Sequence, residues 1–152
     1  MSNNNAARIL IAEDDPEDRD LLMAAFRNTG FDRLEWVGDG ADLDDYLHGR
    51  KQDAKTTQPP PSLILMDLNM PRVDGLEATA KIKADPRFRQ IPVVVFTTSS
   101  APDDVHRAYA AGANSYITKP AEFSGLLKVT AVLRQYWTEI VTLPVTGQQP
   151  PN

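Results

Sequence analysis

Five polar residues stand where apolar runs of the chain stop, and together they have the chemistry to handle a phosphoryl group. Glu13 and Asp14 follow the run Arg8 to Ala12, Asp67 follows Ser62 to Met66, Thr97 follows Pro92 to Phe96, and Lys119 follows Ser115 to Thr118. Three carboxylates brought to one place repel one another and raise at least one pKa, unless a divalent cation with oxygen ligands neutralises them. Magnesium suits such a set, because it keeps several waters and leaves positions for phosphoryl oxygens. Asp67 is then a competent nucleophile for in-line attack that forms an acyl phosphate. The Lys119 ammonium and the Thr97 hydroxyl bind the equatorial oxygens as charge spreads in a loose transition state. Taken singly, Lys119 is an ordinary surface charge and Thr97 an ordinary strand residue, so only their joint placement carries the signal.

That placement requires particular elements. The runs Arg8 to Ala12, Ser62 to Met66 and Pro92 to Phe96 lack the polar alternation of a half-wet strand and suit a sheet covered on both faces. Weaker strands are expected at Leu34 to Val37 and Ser115 to Thr118, with helical spacing between the five runs. Capping chemistry predicts helix starts after strands one and four. Asp15 precedes Pro16 with Asp18 three residues on, and Ser100 precedes Pro102 with Asp103 three residues on. Asp15 is accordingly read as a cap and not as a third metal ligand. Regular β-α alternation gives an α/β, doubly wound, five-stranded parallel sheet, the (βα)5 flavodoxin-like arrangement with strand order 2-1-3-4-5, whose crevice lies at the strand C-termini.

The rest of the composition narrows the function. The chain has 152 residues, no Cys and a net charge of -5. Without thiols any metal must be held by oxygen or imidazole, and the acidic balance argues against nucleic acid or anionic lipid as partner. No window approaches a membrane span and the first residues are Asn-rich, so a cytoplasmic protein is expected. Residues 8–140 are read as one domain, 1–7 as a flexible N-terminus and 141–152 as a tail or dimer arm. The stretch Gly49 to Pro61, with three consecutive prolines, is read as an exposed insertion. His48 and His106 are read as surface residues of helices two and four.

The motifs resemble those of the receiver domains of two-component response regulators from Arg8 to about Ile140. An acidic pair follows strand one (Glu13-Asp14). Asp67-Leu-Asn-Met-Pro71-Arg-Val-Asp-Gly75 matches the family pattern Asp-x-x-x-Pro-x-x-x-Gly. Thr97 closes strand four, Tyr116 is the aromatic of strand five, and Lys119-Pro120 follows it. The intervals between Asp67, Thr97 and Lys119 also match the family's spacing. The resemblance implies that Asp14 and Asp67 ligate Mg2+ directly, Glu13 through water and Asn69 through its backbone carbonyl, with Asp67 the phosphoacceptor. It implies a cis Lys119–Pro120 bond and a switch in which Thr97 moves toward the phosphoryl group and Tyr116 rotates, altering the face of helix four, strand five and helix five. It implies a sensor histidine kinase as donor, and no enzyme activity beyond the chain's own phosphorylation and dephosphorylation. Asn69 and Ser99 are expected to influence the phosphate lifetime.

Three finer expectations follow. The proline-rich insertion, the Asp-Leu-Asn-Met-Pro core and the Tyr-Trp followed by a Leu-Pro tail look like single-domain regulators paired with bacterial phytochrome kinases. Helix five, from about Glu122 to Ile140, carries two apolar stripes: Phe123, Leu126, Leu127, Leu133 and Trp137, and Val129, Val132, Tyr136, Ile140 and Leu143. One should pack on the sheet and the other should serve a homodimer, with no nucleic acid or membrane involved. Three rivals are weaker. A haloacid-dehalogenase-type phosphohydrolase needs a second Asp where Asn69 stands. A flavodoxin's phosphate would be repelled by Glu13-Asp14-Asp15. A pseudo-receiver would not keep the whole acid set.

Overall fold

Strands β1 (Ile9–Ala12), β3 (Leu63–Met66) and β4 (Val93–Thr97) are buried along their whole length. β-branched and leucine side chains fill both sides of these pleats, so both faces must be roofed by helices. The computed structural model describes residues 7–49 and 60–144. In it, β2 (Leu34–Val37) and β5 (Ser115–Thr118) close the two edges of a five-stranded sheet of order β2-β1-β3-β4-β5. Every pairing is parallel, with Ile9 opposite Leu34 and Leu63, Ile64 opposite Val93, and Val94 opposite Ser115. This is the doubly wound sheet expected.

Period-two alternation sends successive strand residues to opposite faces. Leu10, Ala12, Ile64, Met66 and Val93 pack with Leu43, Ile82 and Phe88, beneath α2 (Gly40–Leu47) and α3 (Gly75–Ala84). Ile9, Ile11, Leu63, Leu65, Val94 and Phe96 pack with Leu22, Phe26 and Leu133, beneath α1 (Pro16–Asn28) and α5 (Phe123–Gln135). A smaller cluster of Leu68, Val95, Ala108 and Ala113 lies under α4 (Pro102–Ala110), with Tyr116 against it. Each fully buried Leu, Ile or Phe side chain is worth roughly 1.5–3 kcal/mol of transfer free energy. The sheet is therefore a rigid floor for what its ends carry. On the β2 edge the exposed Trp36 ring lies beneath the Arg19 guanidinium, 3.9 Å from the ring centroid.

Several local expectations are corrected. Asp15 does cap α1, accepting from the N–H groups of Glu17 (2.8 Å) and Asp18 (3.2 Å). Ser100 does not cap α4: the N-cap is Ala101, whose N–H instead reaches Ser99 Oγ at 3.3 Å, while that hydroxyl donates to Asp104. One residue of register in the loop decides which serine is close enough. On α5 the packed stripe is Leu126, Val129, Leu133 and Trp137, whereas Phe123, placed on that stripe from sequence, is exposed. Val129 sits three residues after Leu126 and four before Leu133, at the middle of the buried arc. Phe123, at the helix start, lines a shallow cavity with Lys119, Pro120 and Leu126 and stays outside the buried cluster. A π-helical turn, Tyr136–Ile140, extends α5 and is braced by the Arg134–Glu139 pair at 2.8 Å. His106 is exposed, but His48 is half-buried, its Nδ1 against the Asp44 carbonyl and its ring edge-on to Phe88. The insertion expected at Gly49 to Pro61 and the tail beyond Pro144 fall mostly outside the described residues.

Candidate functional site

The crevice is built from strand ends whose backbones are tied to neighbouring strands. The Glu13 N–H donates to the Val37 carbonyl, the Asp67 N–H to Ala12 and the Lys119 N–H to Thr97, at 3.0, 3.0 and 2.7 Å. These bonds fix where each side chain leaves the sheet. Glu13 (4% exposed) and Asp67 (7%) are buried, Asp14 is exposed, and carboxylate oxygens of all three lie within 4.8 Å of one another. Lys119 reaches over from beyond β5. Its Nζ lies 2.6 Å from Glu13 Oε2, 3.7 Å from Asp18 Oδ2 and 3.9 Å from Asp67 Oδ2. Lys119 does so through a trans bond to Pro120, since the described residues contain no cis peptide bond. Its anchored N–H and its long side chain suffice to bring the ammonium over the acids, so the expected cis bond is not needed for that reach.

Four carboxylates around one ammonium leave a surplus of negative charge. Burial pushes the Glu13 carboxyl up to about 7, and the Asp67 charge adds to the rise against the opposing pull of Lys119. Burial draws the Lys119 ammonium down, but its hydrogen bond to Glu13 and the charges of Asp67, Glu13 and Asp18 outweigh that, and its pKa is raised. The two shifts have different leading causes: burial raises Glu13, whereas the surrounding carboxylates raise Lys119 against burial. The repulsion expected from the sequence is present.

Thr97 at the end of β4 is completely buried, and its Oγ1 has no hydrogen-bond partner among the described residues. An orphaned buried hydroxyl costs about 1–3 kcal/mol of lost solvation, so its place at a crevice mouth marks a group awaiting a partner. The donor set fits a hard divalent cation, since only oxygens converge and the net charge is negative. Asp14 and Asp67 could hold it, with the Glu13 carboxylate close by. Tyr116 is half-buried and its hydroxyl donates to the Ser99 carbonyl at 2.8 Å, so it is tied to the loop after Thr97 and does more than cover the sheet edge. Asn69 is exposed in the loop after Asp67. Gly75 explains the motif's last position: a Cβ there would lie 2.1 Å from the Asp67 carbonyl oxygen, so α3 can press against the Asp67 backbone only without a side chain.

Sequence reasoning missed Asp18, which it took only as part of the α1 start. Its spacing from Asp15, one turn along the helix, puts it on the crevice side, and that periodicity was the available signal. It also did not foresee that Glu13 bonds the Lys119 ammonium directly, at 2.6 Å.

A doubly wound parallel sheet binds its ligands at the carboxyl ends of the strands, and here that place is occupied by an acid set with one lysine. The family described as response regulator receiver domain matches residues 9–131, and this chain belongs to it. The probable methanogenesis regulatory protein FilR2 of Methanothrix harundinacea is 41% identical over 130 residues, which cover 85% of this chain and 82% of that protein. Response regulator Rcp1 of Synechocystis is 38% identical over 137 residues, covering 90% and 92%. The crystal structure of the phosphorylated cyanobacterial phytochrome response regulator RcpA superposes with a TM-score of 0.82 at 36% identity, covering 91% of this chain and 99% of that one. The Mn(2+)-bound form of Rcp1 gives 0.80 at 37% identity, with the same coverage. The protein is thus a phosphorelay response regulator and not an enzyme in the ordinary sense. No helix among the described residues is long and apolar enough to cross a membrane.

Proposed function

We propose that Asp67 accepts a phosphoryl group from the phosphohistidine of a sensor kinase, and that the acceptor site works with magnesium held by Asp14, Asp67 and the Asn69 carbonyl, with Glu13 acting through water. When bound, the metal neutralises the acid cluster and polarises phosphoryl oxygens. The chain's own residues do the rest. Asp67 supplies the attacking oxygen, the Lys119 ammonium binds an equatorial oxygen, and the Thr97 hydroxyl donates to another. What supports this reading is the buried, unpartnered Thr97 hydroxyl at the end of β4, the strand paired with the one that Asp67 follows, and the ammonium 3.9 Å from the Asp67 carboxylate. A phosphoryl group on Asp67 would supply the acceptor that the Thr97 hydroxyl lacks and a further oxygen for the Lys119 ammonium, which already bonds Glu13. Intact mass after treatment with acetyl phosphate and magnesium tests it. The native chain gains one phosphoryl group and Asp67→Asn gains none; equal labelling of the two would overturn the assignment.

Once Thr97 turns toward the phosphoryl group, the Ser99 backbone that holds the Tyr116 hydroxyl follows. The face of α4, β5 and α5 then changes, and with it the partner surface. Similarity to RcpA and Rcp1 favours a bacterial phytochrome kinase as the donor. The exposed apolar residues Val132, Tyr136 and Ile140, at four-residue spacing along α5 and its π turn, support a homodimer through this region and the tail, in the cytoplasm. Sedimentation at high micromolar concentration should show a dimer that Ile140→Glu dissociates. A monomer at every concentration, with or without beryllofluoride, would remove the dimer.

A further inference from the structure

The loop from Asp67 to α3 contains a conformation that nothing in the phosphoryl chemistry explains. Arg72 has φ +67°, the only non-glycine residue among those described in the left-handed region. The Val73 N–H donates to the Pro71 carbonyl at 2.8 Å across it. Together these make a γ-turn of positive φ, the rarer and more strained of the two kinds. Such strain persists only where the surroundings impose it, and here the surroundings are the N-terminus of α2. Arg72 Nε and Nη2 donate to Asp39 Oδ2 at 2.9 and 2.5 Å, and Nη2 lies 3.5 Å from Asp42 Oδ1. Asp39 is itself fixed, because its Oδ1 caps α2 by accepting from the Asp42 N–H at 2.7 Å. A Cβ on Gly40 would fall 2.3 Å from the Val73 carbonyl oxygen, so the first turn of α2 rests directly on the strained loop. At the far end of the same loop, Gly75 rests on the Asp67 carbonyl and donates to Leu68 at 3.0 Å.

We propose that the Arg72–Asp39 ion pair is a positioning device for the phosphoacceptor loop, by which the N-terminus of α2 holds the γ-turn and so sets the backbone between Asp67 and Gly75. Arg72 touches no reacting atom and acts through that backbone. The inference rests on Asp67 being the acceptor and, through the Asn69 carbonyl, on the loop helping to hold the metal. Side-chain removal should therefore loosen the loop and blunt the site together, and the strain separates that effect from stability.

The test uses the full chain with Arg72→Gly, Arg72→Ala, Asp39→Asn and the Arg72→Ala/Asp39→Asn double variant. Glycine suits φ +67°, so Arg72→Gly should melt at or above the native temperature yet label with acetyl phosphate roughly tenfold more slowly, as loss of orientation demands. In magnesium-free protein, amide exchange at Val73 and Gly75 should quicken roughly tenfold in the Arg72 variants, and magnesium binding by calorimetry should weaken. Adding Asp39→Asn to Arg72→Ala should slow labelling no further, because one pair is removed only once. Native protein that labels while Arg72→Gly and Asp39→Asn match it in rate, exchange and magnesium affinity would overturn this inference and leave the acceptor assignment standing. Native protein that takes no phosphate would overturn both.

Discussion

Two polar clusters lie on neighbouring strands of this sheet, and they are built to opposite rules. At β2, Glu35 is held by Arg8 Nη1 at 2.8 Å on one oxygen and by the Tyr46 hydroxyl on the other. Burial and that hydrogen bond push the Tyr46 hydroxyl above its ordinary range, so it stays a donor at any physiological pH. One carboxylate, one guanidinium and one hydroxyl close a balanced network with both acceptor oxygens occupied. At the β1 end, Glu13, Asp18 and Asp67 share the Lys119 ammonium with Asp14 close by, and the Thr97 hydroxyl has no partner among the described residues. A balanced cluster fastens elements together. An unbalanced one, kept on the rigid ends of buried strands, is poised to be completed by something that arrives.

The largest effect that sharpens this contrast comes from removing the cation of each cluster's ion pair or its mate. Lys119→Gln should slow labelling by acetyl phosphate about a hundredfold, the usual cost of losing a charged donor to a developing anion. Glu35→Gln should label at the native rate while losing about 1–3 kcal/mol of stability, since Arg8 is left part-buried with a weaker acceptor. Thermal melts with mass-detected labelling check both, and a Glu35→Gln protein that labels slowly would erase the distinction.

A smaller effect concerns pH. The Glu13 pKa lies above its ordinary 4.5, at about 7, so the native protein holds that proton more tightly than the unfolded chain does. The stability this contributes is full below the ordinary value and is lost as pH rises through about 7. Metal-free native protein should therefore melt progressively lower across that window, and Glu13→Gln should flatten the decline. Added magnesium should raise the melting temperature more above the window than below it. A metal-free melting curve that is level across it would show that Glu13 is not held in a buried site that disfavours its charge.

Smallest in stability is Thr97→Ala. The change removes an unpartnered hydroxyl whose burial costs about 1–3 kcal/mol together with a fully buried methyl whose loss costs about 1 kcal/mol, so the two effects oppose each other and the net change should be small, within about 1–2 kcal/mol. The variant should still take phosphate, yet fail to transmit it. Amide shifts on β5 that follow phosphorylation in the native chain should be absent in the variant, whereas identical shifts in both would remove Thr97 from the switch.

Much of this molecule was legible in the chain because burial is written into local sequence. Runs such as Leu63-Ile-Leu-Met66 can only be strands roofed on both sides, and the first polar residue after each run must lie at a sheet end, which located Glu13, Asp67, Thr97 and Lys119 together. The motif from Asp67 to Gly75 was equally readable, and its glycine now has a reason in the 2.1 Å approach to the Asp67 carbonyl. What the tertiary structure alone decided concerns side chains that meet across long separations. Glu13 and Lys119 are 106 residues apart, and whether the carboxylate faces water or an ammonium depends on the reach of Lys119 over the finished sheet. Likewise only helix rotation against the core could sort Val129 inward and Phe123 outward on α5, and only the docking of α2 on the acceptor loop could bring Asp39 to Arg72. Periodicity and apolar content are properties of neighbouring residues, so the sequence states them directly. Partner choice among polar side chains is a property of packing, and it exists only once the elements have come together.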